Sequence, residues 1–171
     1  MIITVPPNPL LQMDVPIFGH LSACDRLVAL EDAERLNPEG VIGYSCGAIH
    51  ALEVAYRRPQ VKRLVMVNPT IRHWCTAYAR PMVCDTLIIS GSEDDVAPQG
   101  EVFRRFMGHG ALGMLGRSDV LIPKYSYLAD GSRKKTSEIR LTAISIHGMN
   151  HDITEHKGGV RDAIQRYLDG G

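Results

Sequence analysis

This chain has no excess of charge of either sign. Its 171 residues hold 19 Lys and Arg against 19 Asp and Glu. That balance removes the long-range attraction a nucleic acid or an anionic membrane surface would exploit, so neither is expected as a partner. The one basic run of note, Arg133-Lys134-Lys135, is short and follows the turn pair Asp130-Gly131, so it reads as a solvated loop. Cysteine is also sparse. Cys24, Cys46, Cys75 and Cys84 make no C-x-x-C pair and keep no ligand spacing with histidine, so no metal site is expected. They read as reduced thiols of a cytoplasmic protein. The apolar run at Met1-Ile2-Ile3-Thr4-Val5 has no basic segment before it and is too short for a signal peptide or a membrane span. There is no internal repeat and no low-complexity tract. What remains is a chain of one-domain length, residues 1–171, able to bury a core of its own.

Strand-like and helix-like segments alternate along that chain. Ile2 to Val5 is a β-branched run stopped by Pro6-Pro7, and Pro16-Ile17-Phe18 offers a second, shorter strand. Ser22, with Asp25 three residues on, looks like a helix N-cap, which predicts a helix from Ala23 to about Leu36 that ends at Asn37-Pro38. Val61 to Val67 and Thr86 to Ser90 are nearly continuous apolar runs, as strands buried on both faces should be. A helix is expected over Gly100 to Met107. Lys124 to Leu128 and a strand from Ile139 to Ile146 are expected to pair as a hairpin around Asp130-Gly131. In the last segment Val160, Ala163, Ile164, Tyr167 and Leu168 recur at helical spacing and mark an amphipathic helix. Strands separated by helices predict an α/β fold, a three-layer α/β/α sandwich around a mainly parallel sheet.

Three of the strand ends carry reactive side chains. Gly43-Tyr44-Ser45-Cys46-Gly47 follows the apolar Gly40-Val41-Ile42 and precedes the helix-like Ala48 to Ala55. A Gly-x-Ser-x-Gly at a strand-to-helix turn lifts the serine hydroxyl above the sheet edge. The next N–H, that of Cys46, then lies at a helix N-terminus, where an oxyanion is stabilised. The strand at Thr86 to Ser90 is followed by Gly91-Ser92-Glu93-Asp94-Asp95, and the strand ending at Ile146 by His147-Gly148-Met149-Asn150-His151. The C-terminal ends of parallel strands share one edge, so a serine, an acid and a histidine can meet there. Asp95 competes with Asp94 for the acid, and His147 and His156 compete with His151 for the base. Cys46 itself reads as a small packing residue, and His50 as a partly buried helix residue.

The order Ser, Asp, His along the chain resembles that of the α/β-hydrolase superfamily. The resemblance runs from about Ile2 to the C-terminus. It is most specific at Gly43 to Gly47, which resembles the nucleophile elbow, and at Gly91-x-x-Asp94-x-x-x-Pro98, which resembles the loop of the triad acid. His151 stands past the last strand and before the terminal helix, where the family's histidine stands. The resemblance implies a Ser45–His151–Asp94 triad, a minimal α/β-hydrolase fold with a truncated N-terminal part, and no large cap domain. Only 18 residues, Asn68 to Asp85, separate the strand ending at Val67 from that starting at Thr86. His73, Trp74, Cys75 and Tyr78 are candidates for a short apolar rim, with Tyr44 and Trp74 at the substrate. The second oxyanion donor would come from the loop Pro6-Pro7-Asn8-Pro9-Leu10, where the prolines lack N–H groups and leave Asn8 or Leu10.

The implied reaction is hydrolysis of a small-molecule carboxylic ester through an acyl-enzyme, with no cofactor or metal. The same triad would serve a thioesterase or an amidase, and a third reading is a non-catalytic scaffold used for binding. The segment 108–138 is long for a connection and would cover the site, extend the sheet or join two copies as a homo-oligomer.

Overall fold

The computed structural model describes residues 1–5, 26–27, 35–70, 82–107, 116–127 and 132–170. Seven strands occur among them: β1 (Ile2–Val5), β2 (Arg26–Leu27), β3 (Gly40–Tyr44), β4 (Arg63–Val67), β5 (Asp85–Gly91), β6 (Arg117–Tyr127) and β7 (Arg133–Ile146). The described helices are α1 (Cys46–Arg57), α2 (Gln99–Met107) and α3 (Lys157–Leu168), with a 3₁₀ turn at Ile153–His156 before the last. The strands form one sheet in the order β2-β1-β3-β4-β5-β7-β6, with every pair parallel except β6 with β7.

Side chains on a strand alternate between faces, and here both faces are apolar. Val41, Leu64, Met66 and Ile88 point into one core with Ala48, Ala51, Leu52 and Ala55 of α1 and Val102 and Phe103 of α2. Ile42, Val65, Val67, Leu87 and Ile89 point into the other, with Val160, Ala163, Ile164 and Leu168 of α3. Helices thus cover both faces, giving the three layers expected from the sequence. The alanines of α1 bring its axis close to the sheet. Arg58, next to Pro59, is extended and ends that helix.

Among the described parallel strands the order reverses beside β1. From β1 the chain moves outward to β2, then returns to β3 on the other side of β1 and continues through β4 and β5 toward β7. Ligands of open α/β sheets bind beside such a reversal, at the C-terminal strand ends. Ser45 immediately follows β3 at that point.

Several expectations need correction. Arg26 and Leu27 fall inside the helix expected from Ala23 to Leu36, but they form β2, pairing in parallel with Ile3 and Thr4. Two paired residues are enough to satisfy part of the open edge of β1, and tertiary pairing overrides the local cap signal. Strand β7 starts at Arg133, six residues before the expected Ile139. Arg133-Lys134-Lys135 is therefore in a strand, paired with Tyr127, Ser126 and Tyr125, and is not a loop. The hairpin was foreseen, but its strands are longer than expected, and it extends the sheet edge. Strand β4 starts at Arg63, because Val61 is held in a turn by Arg58. The expected strand at Pro16-Ile17-Phe18 lies outside the described residues. No helix among the described residues is long and apolar enough to cross a membrane.

The loops that follow β5 and β7 lie against each other through a glycine. A Cβ on Gly91 would sit 2.0 Å from the Met149 carbonyl oxygen, a backbone atom that cannot give way alone. Glu93 N–H bonds that same carbonyl at 3.0 Å, and Gly148 N–H bonds Ser92 Oγ at 2.9 Å. Gly91→Ala must push the two loops apart, and overpacking of this kind costs about 3 kcal/mol. Thermal denaturation is expected to show a Tm lower by about 6–12 °C in a chain of this size. Gly158→Ala, where a Cβ meets nothing within 4 Å, is the control and is expected to leave Tm unchanged or raise it.

Candidate active site

The elbow is built from a close approach and a strained residue. A Cβ on Gly43 would meet the Gly47 carbonyl oxygen at 2.3 Å and the Ala48 Cα at 2.5 Å, so only glycine lets β3 run this close under α1. Ser45 then takes φ 55° and ψ −126°, a sparsely populated conformation for a residue with a side chain. Such strain costs about 1–3 kcal/mol and persists only where neighbours fix it. Here Ser45 N–H bonds Val67 O at 2.9 Å, and Ser45 O accepts from Ala48 N–H at 3.1 Å and Thr70 N–H at 3.3 Å. The result projects Ser45 Oγ over the C-terminal edge of the sheet, with the Cys46 N–H in the first turn of α1.

Ser45, His151 and Asp94 are in contact in that order. Ser45 Oγ lies 2.9 Å from His151 Nε2. His151 Nδ1 lies 2.9 Å from Asp94 Oδ2 and 3.1 Å from Asp94 Oδ1. The Asp94 side chain is fully buried, whereas that of His151 is 21 % exposed. Asp94 Oδ1 also accepts from Val96 N–H at 2.9 Å and Ala97 N–H at 2.7 Å. Two backbone donors and the imidazole together fix the position of the side chain. With the carboxylate accepting at Nδ1, the proton sits there, and Nε2 is left as the acceptor for the serine hydroxyl. Among the rivals for these positions, Asp95 and His147 are exposed.

Two expected roles change. Cys46 is exposed and does not pack in the core. Partial desolvation of the sulfur at the start of α1 raises the thiol above its ordinary value, so it stays protonated, which argues against it as the nucleophile. Tyr44, expected at the substrate, is only 7 % exposed. Its hydroxyl donates to the His151 carbonyl, and its ring stacks on the His151 ring with centroids 5.7 Å apart. Desolvation, with Asp152 and Asp94 nearby, pushes the phenol up to about 12, so it remains a donor at neutral pH. Asn8, Leu10, His73, Trp74, Cys75 and Tyr78 lie outside the described residues, and so does any oxyanion donor in the loop after β1.

Two further residues, not expected from the sequence, stand at the site. Thr70 Oγ1 lies 2.9 Å from Ser45 Oγ and is a second polar contact to the serine oxygen. Asn68 is fully buried at φ 42° and joins both flanking loops. Both follow β4 in the run Val67-Asn68-Pro69-Thr70, which looks like an ordinary turn. The one local signal is an Asn at the end of a buried strand, a residue that tolerates positive φ. Among the described residues no group of acidic, histidine or cysteine side chains is placed to hold a metal ion. A cavity of about 430 Å³ lined by Arg63, Asp85, Glu138, Arg140 and Tyr167 lies at the opposite end of the strands, away from the serine.

The strand order and the three loops at its C-terminal edge define an α/β-hydrolase fold. Solved structures with this fold superpose on most of the chain. Est1E from Butyrivibrio proteoclasticus matches with a TM-score of 0.66 at 11% identity, over 98% of this chain and 86% of that one. An α/β serine hydrolase homologue from Coxiella burnetii matches with a TM-score of 0.63 at 16% identity, over 98% of this chain and 85% of that one. A protein of unknown function from Agrobacterium tumefaciens, of the α/β-hydrolase type, matches with a TM-score of 0.51 at 22% identity, over 77% of this chain. This chain spans 51% of its length. No family model matches the sequence, and no curated protein matches it.

Proposed function

We propose that the protein is a serine hydrolase that cleaves small carboxylic esters, with Ser45 as nucleophile, His151 as general base and acid, and Asp94 as the orienting carboxylate. The observation that carries this reading is the unbroken line of contacts Ser45 Oγ–His151 Nε2 and His151 Nδ1–Asp94, beside the point where the strand order reverses. The α/β serine hydrolase homologue among the structural neighbours agrees with the hydrolase part of this reading.

In this scheme Ser45 Oγ attacks the carbonyl carbon and its proton passes to His151 Nε2. Asp94 stabilises the imidazolium without taking the proton. The oxyanion is held at the N-terminus of α1 by the Cys46 N–H, a type of donor whose loss costs about 10²- to 10³-fold. His151 gives its proton to the departing alcohol. Water then attacks the acyl-enzyme by the same route, returning the proton to Ser45 and releasing the acid. No cofactor enters any step.

Turnover of p-nitrophenyl acetate, its thioester analogue and the matching p-nitroanilide, measured side by side, tests the bond class. The ester is expected to be turned over fastest. A faster thioester would move the assignment to a thioesterase. Inertness of folded protein toward all three, with no fluorophosphonate labelling, would favour a binding scaffold on this fold.

A further inference from the structure

We propose that Asn68 is a positioning residue for the general base: its side-chain amide sets the His151 loop against the Asp94 loop. The proposal rests on the serine-hydrolase reading above. Asn68 follows β4, between the strand that leads to Ser45 and the strand that leads to Asp94. It is 0% exposed, and each polar part of its side chain is used. Oδ1 accepts from Gly91 N–H at 3.0 Å, three residues before Asp94. Nδ2 donates to Asn150 O at 3.0 Å and reaches His151 O at 3.4 Å. Its own backbone N–H donates to Ile89 O at 2.8 Å.

These partners dictate the residue type. Gly91 N–H can only donate, and the two carbonyls can only accept. A carboxylate has no donor for them, and a hydroxyl has a single hydrogen and less reach. Only a primary amide accepts on one side and donates twice on the other. The amide orientation is fixed by the same argument. The backbone narrows the choice further, because φ 42° is tolerated by Asn, Asp and Gly and by few other residues. The longer amide of Gln is disfavoured at that φ.

The consequence falls on His151. Its ring is held by Ser45 and Asp94, while its carbonyl is held by Asn68 and by the Tyr44 hydroxyl. The ring is thereby tied to the backbone from which it projects. Without the amide, Asn150 O loses this donor, and the His151 carbonyl keeps the Tyr44 hydroxyl as its side-chain donor among the described residues. The Ser45–His151 and His151–Asp94 distances then vary together, and displacements of about 1 Å at reacting groups cost up to about 10²-fold in rate.

Asn68→Asp tests the idea with a nearly unchanged shape. It keeps the acceptor for Gly91 N–H and tolerates the positive φ, but it removes both donors. Asn68→Gly accepts the same φ and removes the whole side chain, so it covers the case in which a buried carboxylate prevents folding. For each variant, active sites are titrated with a fluorophosphonate probe and kcat is expressed per titrated site, with p-nitrophenyl acetate as substrate. In both variants kcat is expected to fall about 10- to 100-fold with KM little changed, the pattern of a lost transition-state alignment. A merely structural amide would lower Tm and the number of titratable sites but leave kcat per site at the wild-type value, and that result would overturn the proposal. A rise in KM with kcat unchanged would also overturn it. Either result leaves wild-type labelling at Ser45 intact and so leaves the hydrolase reading standing. Absence of labelling in the wild type would bring down that reading and the positioning role with it.

Discussion

Ser45→Ala is expected to abolish both fluorophosphonate labelling and ester turnover, with kcat lower by about 10⁶-fold, the scale seen when the nucleophile of a working triad is removed. The geometry makes the change selective. Ser45 Oγ touches His151 Nε2 and Thr70 Oγ1 at 2.9 Å each, and neither contact supports the core. The backbone bonds that fix the elbow, Ser45 N–H to Val67 O and Ala48 N–H to Ser45 O, do not involve the hydroxyl. The variant keeps a Cβ, so the strained φ is neither relieved nor worsened. Its stability is expected to change by no more than about 1–2 kcal/mol. Circular dichroism melting beside the labelling gel separates the two effects. Labelling that survived in Ser45→Ala would place the reactive group elsewhere. Cys46, the nearest nucleophile in sequence, is a poor candidate because partial desolvation raises its thiol and keeps it protonated.

Much of this site could be read in the sequence because its signals are short-range. The elbow needs only a strand, five residues and a helix. The close approach at Gly43 and the strained Ser45 are what that spacing implies. The resemblance of the loop ending at Pro98 points to Asp94, with Asp95 left as its rival. In the structure Asp94 is the buried residue, and its carboxylate caps Val96 and Ala97. The residues that escaped notice act over long range. Asn68 gains its meaning from Gly91 and Asn150, which lie 23 and 82 positions away. The same cause explains the errors in the fold. Arg26–Leu27 is a strand because β1 has an open edge beside it. The start of β7, Lys134 to Glu138, is exposed and polar throughout, so no alternation marks it as a strand. Its partner β6 holds it in place. Tyr44 is expected at the substrate from its place in the elbow run Gly43 to Gly47 alone. Only the fold shows that the loop after β7 passes beside it and takes its hydroxyl.

Asp94→Asn is expected to lower kcat by about 10⁴-fold while leaving the fold intact, the effect known for the equivalent change in another serine-hydrolase triad. The reason lies in the different partners of the two carboxylate oxygens. Oδ1 accepts from Val96 N–H and Ala97 N–H, and Oδ2 makes the shorter contact with His151 Nδ1, at 2.9 Å. An asparagine must place its oxygen on one side and its NH₂ on the other. With the NH₂ toward Val96 and Ala97, two backbone donors would face a donor in a fully buried place, at a cost of about 1–3 kcal/mol for each group left unpaired. The side chain therefore keeps its oxygen at the backbone N–H groups and turns its NH₂ toward His151. That NH₂ needs an acceptor at Nδ1, which drives the ring proton to Nε2. His151 then presents an N–H to Ser45 Oγ, where an acceptor is required, and the serine proton has nowhere to go. The loop bonds survive, so Tm is expected to stay within a few degrees of wild type while single-turnover acylation slows. Asp94→Ala provides the contrast. It frees the tautomer but abandons both loop donors, so it is expected to lose less rate than Asp94→Asn relative to the stability it gives up. A kcat for Asp94→Asn near wild type would mean that this carboxylate does not govern the His151 tautomer, and it would remove Asp94 from the triad.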